Sequence, residues 1–236
     1  MARTVGWRML AGAAALGLAA PAGAAPCRLA LLLALDVSAS VDAEEDGLQR
    51  GGLASALIAP EVAEAMLAEG AAPVSLAVYE WSGRFAQSVI LPWTAIETPE
   101  DLTAAAETIA TSRRDRDDLP TALGDAVGFG ATQFRLGPDC EARTLDVSGD
   151  GVTNDGFPPG AAYRAFPFAG IVVNGLAIQG GDQDVAAYYR EALIRGPGAF
   201  VIEAAGFGDY ERAMREKLIR ELSGPIIGML PGRPRG

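Results

Sequence analysis

Leu29-Ala30-Leu31-Leu32-Leu33-Ala34-Leu35-Asp36-Val37-Ser38-Ala39-Ser40 decides the fold. An unbroken apolar run stopped abruptly by an aspartate reads as a strand buried on both faces of a parallel sheet, since a half-exposed strand would alternate. Its polar continuation puts oxygen-bearing side chains at 36, 38 and 40, which point the same way on an extended segment. At the C-terminal end of a central strand they would face the crevice where open α/β sheets bind ligands.

Outward from this strand, Asp42 with Glu45 predicts an N-cap and capping box for a helix to about Ile58, and Gly51-Gly52 implies close packing along it. Pro73–Trp81 and Phe85–Leu91 read as strands joined in a hairpin through Ser82-Gly83-Arg84, with Pro92 suited to an edge. A helix over Pro99–Thr111, a solvated charged loop Arg113–Asp118 and a helix opened by Pro120-Thr121 follow. Further strands are expected at Ala142–Val147, Ile171–Ile178 and Ala199–Ala204, with helical stretches near Gly160–Phe166 and Asp184–Ile194. The last helix, Asp209–Leu222, carries Tyr210, Met214, Leu218 and Leu222 on one face and offers Glu211/Arg215 and Glu216/Arg220 as ion pairs. Alternating strands and helices give an α/β fold: a doubly wound, mostly parallel six-stranded sheet with one antiparallel edge strand and helices on both faces.

Composition narrows the chemistry. The 236 residues are 50% apolar and 21% charged, enough for one domain with a substantial core. Histidine is absent and Lys217 is the only lysine, so a Ser-His-Asp triad, a Cys-His pair and a histidine-ligated zinc are excluded. A net charge of −11 argues against nucleic acid or an anionic membrane surface as partner.

Residues 1–24 have the grammar of a cleaved signal peptide: Arg3 and Arg8, an apolar stretch from Met9, and Ala22-Gly23-Ala24 before the cut. The apolar stretch falls well short of the ~20 residues a bilayer span requires, and no later stretch is long and apolar enough, so no membrane span is expected after cleavage. The expected location is periplasmic or secreted. There the two cysteines, Cys27 and Cys140, are expected to pair, each lying just before a strand. Residues 225–236, rich in Pro, Gly and Arg, are expected to form a disordered tail.

The fourth strand ends in Ser148-Gly149-Asp150-Gly151, so Asp150 would stand at the height of Asp36, and Thr121 would complete the cluster. Two carboxylates and three hydroxyls without sulfur or nitrogen make a hard oxygen site suited to Mg²⁺ or Mn²⁺. Glu80, Trp81, Asn154 and Asp155 are candidates for its rim, whereas Asp125 reads as a helix residue.

In these residues the chain resembles the von Willebrand factor A (VWA) domain over residues 27–224. That family's metal-ion-dependent adhesion site (MIDAS) reads Asp-x-Ser-x-Ser, then a distant Thr, then Asp-Gly, which here are Asp36, Ser38, Ser40, Thr121 and Asp150-Gly151. More narrowly, Tyr79-Glu80-Trp81-Ser82-Gly83, Asp146–Gly151 and Gly196-Pro197-Gly198-Ala199-Phe200 are similar to an uncharacterised bacterial group of exported single-domain relatives. The sequence departs from the wider family in Leu119-Pro120 before Thr121 and in Gly149, where many members carry threonine. The resemblance implies a Rossmann-like VWA fold and a binding module, not an enzyme. Ser38 and Ser40 would hold the ion directly, Thr121 directly or through water, and Asp36 and Asp150 largely through water or by switching into direct contact, leaving a position for a carboxylate of an unidentified protein partner.

Three other readings compete. Gly149–Asp155 resembles a haloacid-dehalogenase-type phosphatase motif, but the required Asp-x-Asp has Ser38 in second place, and the lysine follows the motif instead of preceding it. Asp146-x-Ser148-x-Asp150-Gly151 opens like an EF-hand loop, but Phe157 stands where the closing Glu belongs. A VWA-fold interaction protein that does not use metal is the third.

Overall fold

The computed structural model describes residues 27–180 and 183–223. The expected leader at 1–24 and tail at 225–236 therefore lie outside the described residues.

Strands β1 (Leu29–Asp36), β2 (Val74–Trp81), β3 (Gln87–Ile96), β4 (Ala142–Gly149), β5 (Ile171–Ile178) and β6 (Val201–Ala204) form one sheet in the order β3-β2-β1-β4-β5-β6. Only the β2–β3 pairing is antiparallel. The helices are α1 (Ala43–Leu57), α2 (Pro60–Met66), α3 (Pro99–Thr111), α4 (Leu123–Leu136), α5 (Pro159–Ala165), α6 (Val185–Tyr188) and α7 (Tyr210–Leu222). A π-helical turn, Tyr189–Leu193, continues α6, and a 3-10 turn, Phe207–Asp209, leads into α7.

β1 shows why its sequence is continuously apolar. Leu29, Leu31, Leu33 and Leu35 enter one core with α1, α2, α3 and α7, while Ala30, Leu32 and Ala34 enter the other, with α4, α5 and α6. Chain order reverses at β1, which has β2 on one side and β4 on the other. This is the topological switch point, where the C-terminal strand ends open a crevice.

Several boundaries differ from the sequence reading. β3 starts later than Phe85 and runs on through Pro92 to Ile96. The register slips where Leu76 faces Thr94 but Val78 faces Leu91, so a bulge on this edge strand takes up the proline. The helix assigned to Pro120-Thr121 begins at Leu123 instead, because Thr121 is held in a loop. α2 was hidden by its brevity, although Pro60 at its first turn is a start signal. Glu211/Arg215 and Glu216/Arg220 are not the pairs that form: Arg215 reaches Glu61, Arg212 binds Asp209 and Glu216, and Arg220 lies over the Phe200 ring. Of Gly51-Gly52, it is Gly52 that packs closely, its α-carbon facing Tyr210.

Cys27 and Cys140 form a disulfide, joining the entries to β1 and β4, which run parallel and adjacent as expected. Among the described residues no helix is long and apolar enough to cross a membrane.

Candidate metal centre

β1 delivers Asp36, fully buried, to the crevice. Its Oδ1 accepts the Ser38 backbone N–H at 2.8 Å, which turns the chain and brings Ser38 and Ser40 to one side. The turn after β4 delivers Asp150, half-buried, and Ser40 donates to its Oδ1 at 2.7 Å. Thr121 donates to Ser38 Oγ at 3.2 Å, and the two serine hydroxyls lie 3.2 Å apart. Thr121, Ser38, Ser40 and Asp150 are thus one connected row of oxygens assembled from three distant segments.

The loop holding Thr121 is pinned from several sides. Asn154 Oδ1 accepts its N–H at 2.8 Å, while its carbonyl accepts the N–H groups of Asn154 and Asp155 at 3.0 and 3.2 Å. Ser82 and Ala39 fasten the flanking residues Ala122 and Leu119. Asn154 and Asp155, expected at the rim, therefore brace a member of the cluster, and Asp155 also pairs with Arg84.

Glu80 and Trp81 do not line the rim. Glu80 is buried and bound by Arg50 at 2.6 Å, in a network with Asp46. Trp81 is fully buried, and its carbonyl accepts the Val37 N–H. Both serve the strand end and not its opening. Asp125 lies in α4 as expected, accepting from Phe157 N. The charged loop is not wholly solvated, since Arg114 donates to the Val41 carbonyl.

Electrostatics mark the centre. Burial first, and then the charge of Asp150, push the Asp36 carboxyl up to about 7 against the pull of the Ser38 hydrogen bonds. Burial likewise raises Asp150. Asp36 Oδ2 is buried with no hydrogen-bond partner among the described residues. A buried oxygen anion without a partner is costly, and a cation is one group that would satisfy it. The donor set is hard oxygen only, which fits Mg²⁺ or Mn²⁺ and would also admit other divalent ions.

Two residues escaped the sequence reading. Gln49 of α1 donates to the Asp36 carbonyl at 2.8 Å, fixing the strand end from behind. Tyr189, in the π turn, is fully buried, and its hydroxyl has no partner among the described residues. A Cβ on Gly149 would lie 2.6 Å from that hydroxyl and 2.7 Å from Asp36 Oδ2, and a Cβ on Gly175 would lie 2.8 Å from the Tyr189 ring. Glycines on two neighbouring strands thus clear a lane along which Tyr189 reaches the buried side of Asp36. The missing threonine at 149 was the available signal: a tyrosine hydroxyl from another element occupies the space that a side chain there would fill.

In the turn between β2 and β3, Phe85 is 94% exposed with φ of 60°, the only left-handed non-glycine among the described residues. It projects from the hairpin whose Arg84 pairs with Asp155.

Residues 26–226 match the family described as "Protein of unknown function (DUF1194)". The chain belongs to that family. No curated protein matches it. Solved structures share its fold. Proximal thread matrix protein 1 from the mussel byssus, in a structure titled with a zinc-occupied MIDAS motif, is 17% identical with a TM-score of 0.61 over 85% of this chain and 49% of that one. A von Willebrand factor type A protein from Catenulispora acidiphila is 16% identical with a TM-score of 0.59, over 84% of this chain and 43% of that one. The PilB minor pilin from Streptococcus sanguinis is 14% identical with a TM-score of 0.58, over 87% of this chain and 65% of that one. The DUF1194 chain has the VWA-like fold and spans less than two thirds of each of these proteins.

Proposed function

We propose that this DUF1194 protein is an exported, divalent-cation-dependent binding module that grips an acidic group of a partner protein. The observation carrying the reading is the connected row of Ser38, Ser40, Thr121 and Asp150 beside Asp36, a buried carboxylate whose Oδ2 lacks a partner among the described residues. Ser38, Ser40 and Thr121 would hold Mg²⁺ or Mn²⁺ through neutral hydroxyls, with Asp36 and Asp150 behind them. When bound, the ion would supply an electrophilic position for a partner's carboxylate. Because neutral oxygens dominate the set, little of the ion's charge would be cancelled by the protein. The chain's own residues hold and orient: Gln49 fixes the strand end, Asn154 fixes Thr121, and Ser40 ties the two loops together.

We read the module as a binder and not a hydrolase. The cluster contains no histidine, and the single lysine, Lys217, lies in a separate buried group with Asp146 and Glu221, so no nitrogen base stands beside it. The zinc-occupied MIDAS of the mussel byssus protein supports the use of a divalent ion. The test is calorimetric titration of chelator-stripped protein with Mg²⁺ and with Mn²⁺. One ion per chain is expected, and absence of binding for both would overturn the reading.

A further inference from the structure

The single lysine of the chain stands where a lysine is least expected. Arginine fills every other cationic position, eighteen in all against one lysine, yet Lys217 is completely buried. Its Nζ lies 2.8 Å from Asp146 Oδ1 on β4 and 2.8 Å from Glu221 Oε1, one turn along α7. Lys217 donates a hydrogen bond to Glu221, but both Asp146 oxygens lack a hydrogen-bond partner among the described residues. The amine therefore sits at contact distance from the Asp146 carboxyl while its hydrogen bond goes to Glu221. Asn174 Nδ2 donates to the same Glu221 oxygen at 2.7 Å and fixes it, while the Phe200 ring covers Nζ at 4.9 Å.

The geometry points to an amide cross-link between Lys217 Nζ and Asp146 Cγ, formed by the folded protein itself with Glu221 as proton carrier. Transfer of one proton from the ammonium to the Asp146 carboxylate gives a neutral amine beside a neutral carboxylic acid. The Nζ lone pair then attacks Cγ and forms the N–C bond. Glu221 takes a proton from the attacking nitrogen and returns it to the departing hydroxyl, and the Cγ–O bond breaks. One water leaves, no electron is transferred to or from the pair, and no co-reactant is needed.

Three features favour this over a resting ion pair. Burial, and then the charge of Glu221, raise the Asp146 carboxyl, so its acid form is accessible near neutrality. A water-poor interior favours the neutral pair over separated charges and discourages hydrolysis of the product. Arginine cannot serve, because a guanidinium does not deprotonate in proteins, which accounts for a lysine in a chain that otherwise uses arginine. The cluster does not touch the metal-centre residues, so this inference stands or falls apart from the proposed function.

Peptide mass spectrometry of trypsin-digested full-length protein, after reduction of the disulfide, tests it. The expected result is Thr144–Arg164 joined to Glu216–Arg220 at a mass one water below their sum, with no cut after Lys217. In Glu221→Gln, which keeps the shape of the site, the joined species should be lost while circular dichroism shows the native fold. Lys217→Met should fold and show no joined peptide. Free Thr144–Arg164 together with cleavage after Lys217 in the wild type would overturn the cross-link. Joined peptides persisting in Glu221→Gln would overturn the role given to Glu221.

Discussion

Ser40 donates a 2.7 Å hydrogen bond to Asp150 Oδ1, linking the ends of β1 and β4 across 110 residues of sequence. Each loop alone is an ordinary turn, and together they form the cluster. Asp36→Ala is expected to abolish Mg²⁺ and Mn²⁺ binding, and Ser38→Ala to weaken it, with the far-ultraviolet dichroism of both unchanged. Calorimetry of each variant beside the wild type checks this, and equal ion binding by Asp36→Ala would remove Asp36 from the centre.

The raised Asp36 carboxyl makes the ion-free protein pH-sensitive. The unfolded group titrates at 3.8 and the folded one at about 7, so the stability held by the protonated form is fully present below about pH 4 and lost as pH rises through 7. Asp36→Asn keeps the acceptor for Ser38 N and removes the charge. In chelator above pH 8 it should exceed the wild type by up to about 4 kcal/mol, at ~1.36 kcal/mol per pH unit, and match it below pH 4. Urea unfolding at both pH values measures the difference, and a variant less stable than the wild type at pH 8 would refute the account.

Tyr189→Phe removes one hydroxyl on the buried side of Asp36 and leaves the ring packing intact. If that hydroxyl steadies the carboxylate, ion affinity should fall about tenfold, the scale of losses from groups that orient a ligand. Gly149→Ala should be worse, since its methyl would need the space held by the Tyr189 hydroxyl and Asp36 Oδ2. Unchanged affinity in Tyr189→Phe would make the residue a packing element only.

Reducing the Cys27–Cys140 bond opens a loop of sequence separation 113, for which chain entropy allows about 4–5 kcal/mol. The bond lies at the opposite end of β1 from Asp36. Cys27→Ser/Cys140→Ser is therefore expected to melt lower while still binding the ion at 25 °C. Loss of ion binding by a folded double variant would contradict this separation of roles.

Much of this was legible because β1 writes both of its jobs in one stretch: leucines and alanines for two cores, then Asp36, Ser38 and Ser40 for the crevice. Asp150 was legible as a carboxylate at an equivalent strand end, and Thr121 as a hydroxyl at the expected start of the intervening helix and through the resemblance to the MIDAS pattern. Glu80 and Trp81 were misplaced because position at a strand end does not say which side is covered, and Arg50 covers Glu80 from α1. The start of α4 was misread because Pro120 carries a helix-start signal, whereas Asn154, distant in sequence, decides the conformation of Thr121. Tyr189 left only the indirect signal of Gly149, because its reach depends on glycines in two other strands.

β1 runs eight residues from Leu29 to Asp36, about 23 Å at ~3.3 Å rise per strand residue, and Cys27 lies two residues before it. A tensile load applied between a partner held at the crevice and the chain entering at Cys27 would run along this strand. Its parallel neighbours β2 and β4 would then resist by sliding, so their ladders would have to break together and not one rung at a time. The disulfide anchors the trailing end of that shear joint to β4.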